Sequence, residues 1–142
     1  MPDAGIGVDV IAGFPGENEK DFTNTYQFIQ ELDISYLHVF PYSERKNKKS
    51  VLMPEKIDEK EIVRRSRMLH NLSDKKRRFF YEQNLGKILP VLFESQKIEG
   101  KMFGFTGNYI KVEAPFDKEK VNKITDVNLN SINERGFVTG IF

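Results

Sequence analysis

Residues 5–14, GIGVDVIAGF, form a near-continuous apolar run that leads into a glycine–proline–glycine turn and an acid-rich helix start, GFPGENEKDF. A strand apolar on both sides is the kind buried on both faces of a parallel sheet. A parallel neighbour must be reached through a crossover. Glu17 to Leu32 supplies one, with Phe22, Tyr26, Ile29 and Leu32 at helical spacing. Glu17, Glu19 and Asp21 stand near the positive end of that helix. The run YLHVFPYS (36–43) then reads as the second strand of one βαβ unit. One such unit cannot close a barrel or finish a sheet, and nothing else in the chain is an evident source of cover for both faces. The region therefore reads as the end of a larger domain. Val8, Val10, Ile11, Val39 and Phe40 are expected to lack full cover, with dimerisation or strand exchange through the half-sheet as one way to bury them.

Two further textures follow. From about Ile57 to Asn84, Ile62, Leu69, Leu72, Phe79 and Phe80 make a partial apolar stripe among many cations. This predicts one long helix, or two shorter ones with Ser73 as an internal cap. From Leu85 onward the period changes. ILPVLFES, GKMFGFT, NYIKVEA, KITDVNLNSI and GFVTGIF are short β-branched or aromatic runs separated by turn residues. Turns are expected at Thr106-Gly107-Asn108 and from Asn133 to Gly136. Five strands in this span predict a small closed antiparallel barrel of the OB type. The fold class is thus α+β.

The 142 residues carry a net charge of +1, so whole-chain charge does not point to nucleic acid and any such signal must lie in local clusters. No apolar run approaches the roughly 18 residues of a membrane span, and the N-terminus lacks a signal-peptide pattern. The chain has no cysteine, which removes disulfides, thiolate zinc sites, cysteine nucleophiles and iron–sulfur ligation from within it and is compatible with the cytoplasm. His38 and His70 lie 32 positions apart without metal-ligand spacing, and structural or surface roles fit them better. The turn is neither a phosphate loop nor the GxGxxG fingerprint. Its glycines let backbone come close to a flat ligand, and its amides at a helix start can face an anion; a plain tight turn has the same pattern.

Two places carry a nucleic-acid signal. Seven cations between Arg64 and Arg78 face one acid, Asp74, an excess that pairs such as Glu61–Arg65 do not absorb. Arg64, Arg67, Lys76 and Arg77 are the candidates for an RNA backbone there. In the β region, Phe103, Phe105 and Tyr109 cluster with Lys101 and Lys111 around a hairpin. Aromatic faces that stack bases, and cations that hold phosphates, are how small barrels bind RNA. Strand alternation puts Lys101, Phe103 and Phe105 on one face; if that face is the interior, Lys101 must sit at the rim.

The order of these pieces resembles the radical S-adenosylmethionine tRNA methylthiotransferases. The residues that carry the likeness are DVIAGFPGE, the strand ending FPYS, KKRRFFYEQNLGK, GFTGNYIKV and VNKI, and it extends over essentially the whole chain. The closer likeness is to the branch that modifies threonylcarbamoyladenosine beside the anticodon. The resemblance implies that residues 1–56 are the C-terminal part of a partial (β/α) radical-SAM barrel. Residues 57–80 are then a basic linker helix, and 81–142 a TRAM domain, an RNA-binding β-barrel. Asp9, Ile11, Gly13, Pro15 and Gly16 match the strand and turn beside S-adenosylmethionine. Asn108 and Lys123 join the RNA-facing residues of the barrel. The 4Fe-4S clusters of such enzymes are held upstream, so this chain is expected to be a C-terminal fragment, inactive alone and without bound cofactor. Its partner is expected to be the anticodon arm of a tRNA. Two departures stand out: Glu44-Arg45-Lys46-Asn47-Lys48 replaces the family's Pro-Arg-Pro-Gly-Thr, and Asn18 replaces a threonine. The alternatives are a stand-alone TRAM-type RNA-binding module without catalysis, and a protein-interaction barrel.

Overall fold

The computed structural model describes residues 3–44 and 49–142. They form two compact units, residues 6–77, and residues 78–142 together with 3–5. The first unit holds β1 (Gly7–Ala12), α1 (Glu19–Glu31), β2 (Tyr36–Pro41), a 3₁₀ turn (Lys49–Leu52) and most of α2 (Glu59–Glu82). β1 and β2 are parallel, in register from Gly7 opposite Tyr36 to Ala12 opposite Pro41.

The two faces of this pair differ. Val8, Val10, Ala12, Leu37 and Val39 share a core with Phe22, Tyr26 and Ile29 of α1 and Met68, Leu69 and Leu72 of α2. The other face carries Asp9 and Ile11 opposite His38 and Phe40, with Ile11 55% and Phe40 51% exposed. None of Val8, Val10, Ile11, Val39 and Phe40 is fully buried.

Local chemistry sets the helix ends. Asn18 accepts from the Asp21 amide at 3.0 Å while the Asp21 carboxylate accepts from the Asn18 amide at 3.1 Å, a reciprocal capping box that starts α1 at Glu19. The last turn of α1 has no cation of its own; Lys76 of α2 supplies one, donating to the Gln30 and Leu32 carbonyls at 3.1 and 2.7 Å. α2 is one helix of 24 residues. Ser73 does not divide it. Its hydroxyl is buried and turned sideways, accepting from the Leu37 amide at 2.8 Å and donating to the Leu37 carbonyl at 3.0 Å.

In the second unit the last turn of α2 precedes β3 (Ile88–Ile98), β4 (Lys101–Thr106), β5 (Lys111–Pro115), a 3₁₀ turn (Lys118–Lys120), β6 (Ile124–Ile132) and β7 (Val138–Ile141). The strands close in the order β3-β4-β5-β7-β6. Every expected strand is present, but the barrel is not wholly antiparallel, because β5 and β7 run parallel, with Val112 opposite Val138. The reason is parity. Strand directions cannot alternate all the way around a closed ring of five, so at least one neighbouring pair must be parallel. β5 starts later than the run NYIKVEA suggested, since Tyr109 still belongs to the turn with φ 66° and its amide donates to the Thr106 carbonyl.

Val91, Phe93, Met102, Ile110, Val112, Ala114, Val127, Leu129 and Val138 fill the interior. Tyr81, from the end of α2, joins this core, and its hydroxyl accepts from the Lys111 amide at 3.1 Å. On β4 the even residues Met102, Gly104 and Thr106 point in, so Lys101, Phe103 and Phe105 lie on the outer face. A Cβ at Gly104 would come within 2.4 Å of the Leu92 carbonyl oxygen and 2.8 Å of Val91 Cγ1. Gly104→Ala is therefore expected to destabilise the barrel by about 1–3 kcal/mol. Gly107→Ala, where a Cβ meets nothing within 4 Å, should stay within about 0.5 kcal/mol of wild type. Thermal melts of both variants followed by circular dichroism check this pair.

Candidate functional site

The turn after β1 is held from inside. Gly13 has φ 79°, and a Cβ there would lie 2.4 Å from Ile62 Cγ1, so glycine serves both the left-handed backbone and the close packing of α2. The Gly13 amide donates to Glu17 Oε2 at 2.8 Å, the Gly16 amide to the Glu55 carbonyl at 3.0 Å and the Glu17 amide to the Phe14 carbonyl at 3.0 Å. The amides of Gly13, Gly16 and Glu17 are thus used within the protein. Gly13 and Pro15 are buried, while Gly16 is exposed at the tip, with φ 87° and nothing within 4 Å of a built Cβ. Asp9 and Ile11 lie on the open face of the strand pair.

Glu17 is in turn held by Arg65, a residue the sequence pattern offered only as a surface partner of Glu61. Arg65 is 3% exposed. Its guanidinium donates to Glu17 Oε2 at 2.8 Å, to the Glu17 carbonyl at 2.7 Å and to Glu61 Oε1 at 2.8 Å, and it stands 5.2 Å from the centroid of the Phe22 ring. Burial works against the charge, but the hydrogen bonds to Glu17 and Glu61 outweigh it and raise the pKa. Beside it, Arg64 bridges Glu61 and Glu19 at 2.6 and 2.7 Å, and these contacts raise its pKa as well. Hydrogen bonding from Arg64, seconded by Arg65, holds the Glu61 carboxyl down at about 2.

The basic stretch of α2 is accordingly less free than its charge count suggested. Arg64 faces Glu19 and Glu61; Lys76 caps α1; Arg77 touches Asp74 at 3.3 Å and stands 5.9 Å from the Tyr36 ring centroid. Arg67 is exposed and makes no ion pair among the described residues. Two of the acids that engage these cations, Glu17 and Glu19, come from the turn and α1, over 40 positions earlier in the chain, and Glu61, Asp74 and Glu82 lie on α2 itself. Arg45 to Lys48 lie outside the described residues.

On the barrel, the outer residues of β4 and β5 meet as paired rows. Phe105 stands opposite Lys111 and Phe103 opposite Glu113. Phe105 is 37% and Tyr109 66% exposed, whereas Phe103 is only 5% exposed. The ring of Phe103 is covered by Phe137, at 5.8 Å between centroids, and by Lys111 and Arg135, at 5.7 and 5.9 Å. Lys101 lies 3.9 Å from Glu113. Asn108 is used in the turn: its Oδ1 is 2.6 Å from Thr106 Oγ1 and its amide donates to the Asp3 carbonyl at 2.9 Å. Lys123 is exposed just before β6, next to Ile124. Arg135 and Phe137, on the β6–β7 hairpin, escaped the sequence reading because turn residues there signalled only a turn. Among the described residues no group of three His, Cys, Asp or Glu side chains is placed to hold a metal ion, and no helix is long and apolar enough to cross a membrane.

These features define a mixed α and β protein in which a parallel strand–helix–strand unit is followed by a closed five-strand barrel with aromatic and cationic residues on its outer face. Comparison with known proteins gives its relatives. No family model matches the sequence. The chain is 42% identical over 127 residues to the threonylcarbamoyladenosine tRNA methylthiotransferase of Aquifex aeolicus, covering 89% of this chain and 29% of that protein. It is 35% identical over 133 residues to the Bacillus subtilis enzyme of the same name, covering 91% of this chain and 30% of that one. The tRNA-2-methylthio-N(6)-dimethylallyladenosine synthase of Campylobacter jejuni is 29% identical over 130 residues, again 92% of this chain and 30% of the relative. Over about nine-tenths of its own length the chain is similar to tRNA methylthiotransferases, and it spans about three-tenths of the length of the curated relatives it matches.

Two outcomes follow from the Arg65 cluster. Arg65→Met leaves the Glu17 carboxylate, 15% exposed, without its cation. It should cost about 3–5 kcal/mol in urea denaturation and speed hydrogen exchange at the Gly13 amide. The carboxyl of Glu61 is displaced from 4.5 to about 2 by folding. Its contribution to stability is therefore full above pH 4.5 and lost as pH falls toward 2. Urea midpoints measured through that window should fall in wild type and fall less in Glu61→Gln.

Proposed function

We propose that this chain acts in the 2-methylthiolation of threonylcarbamoyladenosine in tRNA, as the portion of such an enzyme that docks the anticodon arm and contributes one wall of the S-adenosylmethionine site. The observation that carries this reading is the 42% identity, over nine-tenths of the chain, to a protein named for that activity. The barrel is then a TRAM-type, OB-like RNA-binding module, and the strand–helix–strand unit the last part of a radical-SAM barrel. The assignment is consistent with an outer barrel face that combines exposed Phe105 and Tyr109 with Lys111.

The cofactor fits the open sheet face better than it fits the turn amides. Asp9 and Ile11 stand there with His38 and Phe40 opposite them, a polar and an apolar pair suited to a ribose and a purine. S-adenosylmethionine, when bound in such an enzyme, supplies the methyl group and the radical that initiates chemistry at the adenine ring. In this reading the residues of the chain only shape the wall: Asp9 and Ile11 face the ligand, and the Glu17–Arg65 pair fixes the turn that ends the strand. The chain carries no cysteine, so the ligands of a 4Fe-4S cluster would come from outside these residues. A cytoplasmic location follows from the tRNA substrate.

The test is binding of a tRNA anticodon stem-loop to the chain across a salt series. Wild type should bind with an affinity that falls linearly in log–log form as salt rises. Phe105→Ala should weaken binding by about 1–3 kcal/mol if a base stacks on that ring, and Lys111→Ala should weaken it while flattening the salt dependence. Absence of binding at low salt overturns the reading.

A further inference from the structure

The β6–β7 hairpin places Arg135 and Phe137 against Phe103 and Lys111. Lys111 Nζ lies 4.4 Å from the Phe137 centroid, 5.7 Å from that of Phe103 and 6.0 Å from that of Phe105. The Arg135 guanidinium carbon lies 5.4 Å from Phe137 and 5.9 Å from Phe103. Two cations, one at the start of β5 and one in the turn between β6 and β7, thus rest on one aromatic floor, whose two rings meet edge to face. A ring beneath a cation holds it through the quadrupole without neutralising it, so the donors on the outer side stay available. With Phe103 buried, a base has no open ring face there; the ring supports the cations instead.

The acids nearby leave this pair largely uncompensated. Among the described residues no carboxylate oxygen lies within 4.0 Å of Lys111 Nζ, and Arg135 has one such contact, Glu99, at 3.9 Å, on a side chain 83% exposed. Glu113 is engaged by Lys101 at 3.9 Å and by the Asn133 amide at 3.3 Å. Asn133 also fixes the hairpin itself, its Oδ1 accepting from the Arg135 and Phe137 amides at 3.0 Å each.

From Lys111 the register runs straight across three more strands, to Phe105, then Leu92, then Ile124. Paired residues of neighbouring strands point to the same side of a sheet, and these three are 37%, 51% and 71% exposed. The outer face therefore has a cationic end and an adjoining apolar row. A nucleotide has the matching layout, with an anionic phosphodiester at one side and a flat, largely apolar base at the other.

We propose that Lys111 and Arg135, on the Phe103–Phe137 floor, form a phosphodiester subsite, and that the row Phe105, Leu92 and Ile124 takes unstacked bases of the same RNA strand. The inference rests on the RNA-docking reading above. It adds Arg135, Phe137, Leu92 and Ile124 to the interface and makes Phe103 a supporting residue.

The experiment is fluorescence anisotropy of a labelled anticodon stem-loop over a potassium chloride series, with an otherwise identical stem-loop carrying abasic loop positions. Arg135→Gln should weaken both RNAs several-fold and reduce the salt slope by about 1. Arg135→Lys, which keeps the charge, should retain the slope. Leu92→Ser should weaken the normal stem-loop with its slope unchanged, and lose its effect on the abasic one. If wild type binds with a salt-dependent affinity but Arg135→Gln matches it in affinity and slope, the subsite is overturned and RNA docking stands. If Leu92→Ser weakens both RNAs alike, or neither, the base row is overturned. If wild type shows no salt-dependent binding, RNA docking is overturned and the subsite with it.

Discussion

A guanidinium that is 3% exposed must be matched inside the protein, and the first unit is organised around how Arg65 meets that requirement. Its partners are the carboxylate and carbonyl of Glu17, at the end of the turn, and the carboxylate of Glu61, one helical turn before it on α2. Glu17 passes the constraint on by accepting the Gly13 amide. One side chain therefore sets the distance between α2, the start of α1 and the turn that follows β1. Gly13 is part of the same arrangement, since only a residue without a Cβ lets Ile62 of α2 come as near as it does.

The barrel depends on a different constraint, a geometric one. Five strands closing on themselves must include a parallel pair, and β5 with β7 fill that place. The parallel pair brings the β6–β7 hairpin alongside β4 and β5, and so sets Arg135 and Phe137 beside Phe103 and Lys111. The make-up of the outer face is thus a consequence of how the ring closes. It could not be read from any single hairpin.

Much of the fold was legible because each run carries its own period. The strand–helix–strand unit and the five later strands follow from alternation and spacing, and alternation on β4 correctly grouped Lys101, Phe103 and Phe105 on one face. What stayed hidden was non-local. Ser73 looked like a helix start because serine so often is one, whereas here its hydroxyl answers a strand 36 positions away. Arg64 and Lys76 look available because their local sequence lacks enough acids, but Glu19 of α1 supplies a carboxylate to the first, and the C-terminal end of α1 supplies carbonyls to the second. Phe103 looked like a stacking platform until the distant hairpin covered it. Of the residues expected beside a ligand, Asp9 and Ile11 on β1 are exposed, while Gly13 in the turn is required by its left-handed backbone and by its packing on Ile62.

The bond from Ser73 to β2 also bears on the outer margin of the strand pair. The amides of Tyr36 and Tyr42 point toward β1, so the backbone of Leu37, Val39 and Pro41 points away from it. At Leu37 both the donor and the acceptor are occupied by one hydroxyl, and Pro41 has no donor to offer. Among the described residues of β2, Val39 alone keeps a complete set of backbone groups along that margin, too little to template another chain. Among the described residues, the outer margin of β2 is therefore poorly suited to pairing with a further strand.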